Sequence, residues 1–420
     1  MANPTVYVVH CVDAEGPLQE SMASSSERDD SVHSESTSSE FRGRYADPTG
    51  QGWIYNWFVT SRPRSEEDKL TAGEGAHSVL DRYSQLALTS FSGLDEVHWH
   101  FRPSAFHGGS PDAGASLLHY PEMTDIMARF LLERGWFPTC FHPGPYAERP
   151  DTHWFLEQWI PFDYANRSVS RYRGGSRPSP GDEGSSLEWR RAVWDWSHYR
   201  PSYDDIQREG YCNRTIFKCL PAGNHERRLD QAEVELAFRR ADEGYPTVLA
   251  FSSHDSMDLR PAVEGVYGLL KEAQRKFPNV RWEHSGALNA ARQCLGLRDP
   301  RPLELDAEFE RTASGLALKV RSNKPTFGSQ PFLALKTKDG RFHHGSFETI
   351  AHRREWICKL EESGLPPESI SRIGIASSDA YGHVHVSLFQ GDGTPILPLS
   401  ILLNVESDCE STLSNEEMIG

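Results

Sequence analysis

From Thr5 to Leu295, short runs rich in β-branched and aromatic residues alternate with segments of helical period, and nothing else in the sequence constrains the fold as tightly. Strand-like runs occupy Thr5–Val12, Trp53–Val59, Glu96–Phe101, Trp136–Phe141, Thr247–Phe251 and Val280–Glu283. Between them Met123, Ile126, Met127, Phe130 and Leu131 share one helical face, and Asp151 can cap a helix running through Trp159. Asp230 can cap a further helix with Val234 and Phe238 inward, and Pro261 opens one with Val263, Val266, Leu270 and Ala273 inward. A last helix over Ser285–Leu295 ends at Gly296. Such alternation predicts an α/β fold on a largely parallel sheet.

After the charged, proline-bearing stretch Arg298-Asp299-Pro300-Arg301-Pro302 the pattern becomes strand after strand (Leu303–Phe309, Gly315–Val320, Phe332–Thr337, His383–Phe389). Turn signals stand at Lys338-Asp339-Gly340 and Gly391-Asp392-Gly393. At 420 residues the chain is long for one core. The expected division is therefore residues 1–297 as one α/β domain, 298–405 as a small β-rich, sandwich-like domain, and 406–420 as an acidic flexible tail. Nine serines mixed with acidic residues between Ser21 and Glu40 predict a mobile loop inside the first domain, in a disordered-type region around 21–48.

A content of 37% apolar and 11% aromatic residues excludes a disordered or fibrous chain. The net charge of −16 opposes binding to nucleic acid or an anionic membrane surface. Met1–Val12 has no basic leader region, and the 7 cysteines form no CxxC pair, Cys212 and Cys219 being the closest. The expectation is a cytoplasmic enzyme with reduced thiols and no nucleic-acid or membrane partner.

Three polar clusters stand at predicted strand ends, where parallel α/β folds place their sites: Asp13 with Glu15, His98-Trp99-His100, and Ser252-Ser253-His254-Asp255. Residues two apart on a strand share a face, so His98 and His100 can aim both imidazoles at one point. With a carboxylate from Asp13 or Glu15 they would make a three-ligand, open divalent-metal site. Zinc suits those ligands best, and iron, cobalt, nickel and manganese accept them too.

These clusters resemble the motifs of the polysaccharide deacetylase (NodB-like) superfamily. Val9-His10-Cys11-Val12-Asp13-Ala14-Glu15-Gly16-Pro17 is similar to its first motif, Glu96-Val97-His98-Trp99-His100-Phe101-Arg102-Pro103 to an HxH form of its second, and Leu249-Ala250-Phe251-Ser252-Ser253-His254-Asp255 to its last. Phe141-His142-Pro143-Gly144, with the stretch Trp154 to Asn166, resembles the third motif of a branch common in glycan biosynthesis. The resemblance spans roughly residues 5 to 297 and implies a distorted (β/α) barrel. It implies metal held by His98, His100 and Asp13 or Glu15, the other carboxylate as general base, and His254 as general acid. Where the third motif usually has an Arg this chain has His142, so that role falls to Arg149 or Arg102 or is vacant. Asp255, Asp204 or Asp205 could orient His254, and Trp99, Trp53, Tyr55, Trp57, Trp194 and Trp196 could stack on a sugar.

The function implied is a metal-dependent amide hydrolase acting on an N-acylated sugar or sugar-bearing intermediate. Two alternatives stand beside it: a glycan-binding or assembly module on the same barrel, and a non-hydrolytic metal-dependent sugar-modifying enzyme such as an epimerase.

Overall fold

The computed structural model describes residues 5–15, 35–60, 77–90, 93–101, 122–144, 150–170, 189–223, 227–311, 315–362 and 364–396. Backbone contacts divide the chain into two units, residues 1–120 with 139–299, and residues 121–138 with 300–420.

The first unit is a distorted seven-stranded parallel barrel. Its strands are β1 (Thr5–Ala14), β2 (Tyr55–Thr60), β3 (Glu96–Phe101), β4 (Cys140–Pro143), β5 (Phe162–Asn166), β6 (Thr215–Pro221) and β7 (Thr247–His254), paired in that order and closed by β1 on β2. An eighth, β8 (Arg281–His284), pairs with the first half of β1 from Thr5 to Val8, whereas β2 takes the second half from His10 to Ala14. β1 therefore forks between two neighbours, which is the distortion. The helices are α1 (Ser39–Arg44), α2 (Ser78–Leu88), α4 (Pro150–Trp159), α5 (Gln231–Asp242), α6 (Arg260–Lys276) and α7 (Ala287–Cys294), with α3 (Glu122–Arg134) assigned to the second unit.

Local chemistry sets these boundaries. Asp230 accepts a hydrogen bond from the Glu233 backbone N–H and starts α5, and Gly244, at φ 95°, ends the turn that follows it. Expected strand Trp136–Phe141 begins only at Cys140, because Gly135 turns at φ 62° and Pro138 has no N–H to give a ladder. Strands β5 and β6 have no counterpart in the pattern read from sequence; β5 is five residues long and β6 seven.

The serine-rich loop expected through Glu40 is helical from Glu35 onward. Ser38 caps α1 by accepting from Phe41 N, and the Ser36 backbone carbonyl is held by Tyr55 Oη at 2.9 Å. Arg42 then clamps Asp95 through two bonds of 2.6 and 2.7 Å in a fully buried pair.

Inward residues of β1, β2, β4, β5, β6 and β7 meet α7 in one core: Val9, Cys11, Phe58, Cys140, Phe162, Tyr164, Phe217, Cys219, Val248 and Ala250 against Ala287, Ala290 and Ala291. α7 plugs the barrel, and its N-terminus is bonded to strand side chains. Ala287 N donates to Asn56 Oδ1 (2.6 Å) and Leu288 N to Glu96 Oε2 (2.7 Å), a carboxylate on the positive end of a helix. Gly286 is required there, since a Cβ would lie 2.1 Å from Glu96 Oε1. No described helix is long and apolar enough to cross a membrane.

The second unit stacks a four-stranded antiparallel sheet, β13-β14-β10-β9, on a five-stranded one, β12-β11-β15-β16-β17, where β9 is Leu305–Arg311, β10 Leu316–Ser322, β11 Phe332–Thr337, β12 Phe342–Gly345, β13 Glu348–Ala351, β14 Glu355–Lys359, β15 Ile370–Ser378, β16 Val384–Gln390 and β17 Pro395–Ile396. Leu318, Val320 and Trp356 of one sheet share a core with Leu333, Leu335, Ile373 and Ile375 of the other. Helix α3 lies on β15, where Leu131 and Leu132 fill the space left by Gly374. Lys336 Nζ reaches Glu133 (2.6 Å) and Arg372 donates to the Leu132 carbonyl (3.3 Å). A segment inside the stretch expected to be one domain thus packs with the C-terminal strands.

Candidate active site

Strand register brings the polar ends together at the carboxyl mouth of the barrel. Asp13 of β1 lies opposite His254 of β7, and His100 of β3 opposite His142 of β4. Three imidazoles converge on one buried carboxylate: His100 Nδ1 and His142 Nε2 are each 3.5 Å from Asp13 Oδ1, and His254 Nε2 is 3.7 Å from Oδ2. Glu15 Oε1 stands 3.8 Å from His100 Nε2. His254 is the exposed member, its side chain 42% accessible against 0% for His100 and His142.

The tautomers follow from backbone partners. His142 Nδ1 is 2.6 Å from the Tyr164 carbonyl and His100 Nδ1 is 2.9 Å from the His142 carbonyl. A carbonyl only accepts, so Nδ1 of each ring carries the proton and Nε2 of each neutral ring presents a lone pair. Both Nε2 atoms and Asp13 Oδ1 are buried without a hydrogen-bond partner. Two of these acceptors, Asp13 Oδ1 and His142 Nε2, lie 3.5 Å apart, while His100 turns Nδ1 toward Asp13 and Nε2 toward Glu15; two buried acceptors so close are costly unless a cation sits between them. Burial works against charge on His142, yet Asp13 and then Cys219 outweigh it and raise its pKa to about 9. A proton on His142 supplies that positive charge when no other cation does.

Two of these donors, Asp13 Oδ1 and His142 Nε2, have the chemistry of divalent-metal ligands. At metal–ligand lengths of about 2.0–2.2 Å, adjacent ligand atoms lie roughly 3.3 Å apart, close to the 3.5 Å between Asp13 Oδ1 and His142 Nε2. Each imidazole also gives its other N–H to a carbonyl, as metal-binding histidines do. Among the described residues no group of three or more His, Cys, Asp or Glu side chains is placed to hold a metal ion.

Several expected site residues lie elsewhere. His98 is on the inner face with His100 but two residues deeper, about 6.6 Å down the strand at 3.3 Å per residue. There Nε2 bonds Glu96 Oε2 at 2.8 Å, the carboxylate that holds the start of α7. The two histidines of the HxH pair therefore serve different layers, and His142 takes the place next to Asp13 that the pairing assigned to His98. Trp99 is wholly buried on the outer face among Phe101, Phe141 and Phe155, so it stacks on no sugar; Trp53, Tyr55 and Trp57 are also fully packed. Asp255 receives the Tyr83 hydroxyl (2.7 Å), and Asp205 pairs with Arg191, so Asp13 is the carboxylate that faces His254. Asp204 is exposed. Arg102 and Arg149 lie outside the described residues.

Two features escaped the sequence reading. Cys11 and Cys219, from strands either side of β7, point into the barrel below Asp13. Burial pushes the Cys219 thiol up, but hydrogen bonding with Cys11 and the neighbouring His142 hold its pKa down at about 6. Cys212, its nearest cysteine in sequence, instead sits 4.0 Å from His153. No disulfide links the described cysteines. The other is a serine–histidine contact, Ser253 Oγ to His10 Nε2 at 2.7 Å. Trp53 Nε1–H donates to His10 Nδ1 (3.0 Å), so Nε2 bears the proton and cannot take one from Ser253.

No protein-family model and no curated protein matches this chain. One solved structure that aligns with it is a Parabacteroides distasonis protein described as a "putative glycoside hydrolase/deacetylase", at 12% identity and a TM-score of 0.38, covering 83% of this chain and 87% of that one. So distant a likeness does not bear on the chemistry of the site.

Proposed function

We propose that the barrel is a metal-dependent amide hydrolase that removes an acyl group from an acylamino sugar. The observation that carries this reading is the pair of buried acceptors Asp13 Oδ1 and His142 Nε2, 3.5 Å apart at the mouth of a parallel barrel with His100 and His254 beside Asp13. Asp13 and His142 would hold the ion, and His100 would complete the set by turning Nε2 from Glu15. A bound divalent ion supplies Lewis-acid polarisation of the acyl oxygen and lowers the pKa of water.

The chain's own groups do the rest. Glu15, beside His100 and outside the Asp13–His142 pair, accepts a proton from the attacking water. His254 stands at the open side, where a leaving amine would emerge, and Asp13 Oδ2 orients its Nε2. His254 Nε2 gives its proton to the amine nitrogen while Glu15 holds the one taken from water, and return of that proton from Glu15 to His254 resets both, so that amide plus water becomes carboxylic acid plus amine. Burial of Asp13, His100 and His142 keeps bulk water from competing with these contacts.

The test pairs metal analysis with product analysis. Purified parent protein should carry about one equivalent of zinc or another divalent metal and release acetate from an N-acetyl sugar. His142→Ala should lose the metal and His98→Ala should keep it. Metal content that depends on His98 and not on His142 would restore the HxH pair and remove His142. A protein that binds acylamino sugar without releasing acetate, metal-loaded or not, would instead be the binding module.

A further inference from the structure

Helix α4 begins at the mouth end of the barrel, because β4 reaches the mouth at Pro143 and the helix carries the chain back. The loop 199–213 is clamped onto it. His153 Nε2 donates to the Ser202 carbonyl (3.1 Å) and Trp154 Nε1 to the Tyr203 carbonyl (3.2 Å). Arg214 donates to His153 Nδ1 at 2.8 Å, which leaves the ring proton on Nε2 where the Ser202 contact needs it. Glu157 accepts from the backbone N–H groups of Asn213 and Arg214. Within the loop Pro201 bridges Glu209, and Gly210 N donates to the Arg200 carbonyl at 2.8 Å. The fold-back is so close that a Cβ on Gly210 would lie 2.4 Å from Ser202 Cα.

This fixed frame carries aromatic rings into solvent. Trp154 is 46% exposed, Tyr203 65% and Tyr211 fully. The Trp154 and Tyr203 rings lie within 18° of parallel, with centroids 5.7 Å apart. Tyr211 stands beside Cys212, whose Sγ is 4.0 Å from His153 Nε2, so it belongs to the same surface. Among the described residues eight large apolar side chains are exposed, and three of the eight are gathered here. All three are aromatic, whereas the exposed aliphatic ones, Leu88, Leu94, Met257 and Ile350, lie on other elements. A concentration of this kind marks a binding surface rather than chance exposure.

We propose that Trp154, Tyr203 and Tyr211 form a platform that binds a neutral glycan chain. A pyranose has an apolar C–H face and a rim of hydroxyls, so it needs a flat ring under the face and polar groups at the edge. Asp204, Arg208 and Asn213, all exposed on the same loop, supply such groups. A protein partner would call for aliphatic contacts that this surface lacks, and the net charge of −16 opposes an anionic ligand. The rings are held before any ligand arrives, which keeps the ordering cost of binding low. Stacking was expected of Trp53, Tyr55, Trp57 and Trp99, which are packed in the core, and the platform offers it on the surface instead. Binding there goes beyond the hydrolase reading and does not depend on it.

The test is calorimetric titration of the full-length protein with N-acetylchitotetraose and with cellotetraose. The parent should bind one or both saturably, and should bind N-acetylglucosamine more weakly because one sugar covers one ring. Trp154→Ala/Tyr203→Ala should weaken the tetrasaccharide by about tenfold or more, from the loss of two stacking contacts, with its melting temperature verifying the fold. Trp154→Phe, which keeps a ring and gives up the bond to the Tyr203 carbonyl, should fall between the two. Asp13→Asn should bind the tetrasaccharide as the parent does, so a failed hydrolase reading leaves this platform standing. Absence of saturable binding of either tetrasaccharide to the parent, or equal affinity in the parent and the Ala pair, overturns the proposal. A dimer in sedimentation that the Ala pair dissociates also overturns it, since a second copy would then be the occupant.

Discussion

Lys218→Met would remove one half of a buried ion pair and leave the other half stranded. Lys218 Nζ lies 2.6 Å from Glu233 Oε2, and the two side chains are 0% and 2% exposed. Glu233 also accepts from Trp196 Nε1 (3.1 Å), Ser170 N (2.7 Å) and Ser170 Oγ (2.9 Å). Trp196 itself stands at φ 65° with the ammonium 4.5 Å above its ring, a backbone conformation that a bulky residue keeps only where its surroundings impose it. Methionine matches the stem of lysine, so the packing loss is small and the cost is that of an uncompensated buried carboxylate, about 3–5 kcal/mol. At roughly 2–4 °C per kcal/mol for a large domain, the barrel should melt about 6–20 °C lower. Lys218→Met/Glu233→Gln should recover part of that loss, because the second change removes the stranded charge. Thermal unfolding of the parent, both single variants and the double variant closes the cycle. A Lys218→Met protein melting within about 2 °C of the parent would show that water reaches Glu233 and that the pair is not closed.

The same lysine sets a pH dependence. Burial lowers its pKa from 10.5 to about 8 although Glu233 opposes the shift, so between those values the folded chain binds fewer protons than the unfolded one, and stability must rise with pH. Relative to Lys218→Met the gain from pH 8 to 10.5 is on the order of 3 kcal/mol by linkage, and a flat difference across that window would refute it. His254→Ala should retain metal while turnover on an acylamino sugar falls about 100- to 10,000-fold; unchanged turnover in folded, metal-loaded protein would take His254 out of the mechanism. A chain ending at residue 297 removes the strands under α3, so Leu131 and Leu132 become exposed and the truncated protein should bind a hydrophobic dye that the full chain does not. No dye binding by the truncated chain would mean that α3 finds another partner.

What could be read from sequence was whatever is local. Asp230, Pro261 and Gly296 mark helix ends through bonds and dihedrals that span four residues or fewer, and the structure has helices where these residues delimit them. The alternation that predicts a parallel α/β fold is likewise repeated local pattern. The allegiance of α3 is not local: its apolar face was visible as a period, but the glycine it covers, Gly374, is more than two hundred residues away. Short strands such as β5 fail for another reason, since five residues whose inward Phe162 and Tyr164 alternate with Asp163 and Ala165 look the same as the end of a helix.

The site was legible in its strand ends and not in its layers. Asp13, His100 and His254 could be named because each closes an apolar run at the carboxyl end of a strand. His142 met the same criterion, Cys140-Phe141-His142-Pro143 being a strand that ends on a histidine, but family resemblance drew attention to the arginine it replaces rather than to its own lone pair. Period two explains why His98 misled: it reports the face a residue points to and is silent on height along the barrel axis. Height was decided by Glu96, and Glu96 was fixed by the N-terminus of α7, 192 residues later in the chain. His98, two residues below His100, bonds Glu96 at that depth, and the second imidazole beside Asp13 comes from a neighbouring strand at the same height. Register supplies it: His142 pairs with His100 across β3 and β4, and so the imidazole that joins His100 at Asp13 stands on the next strand over.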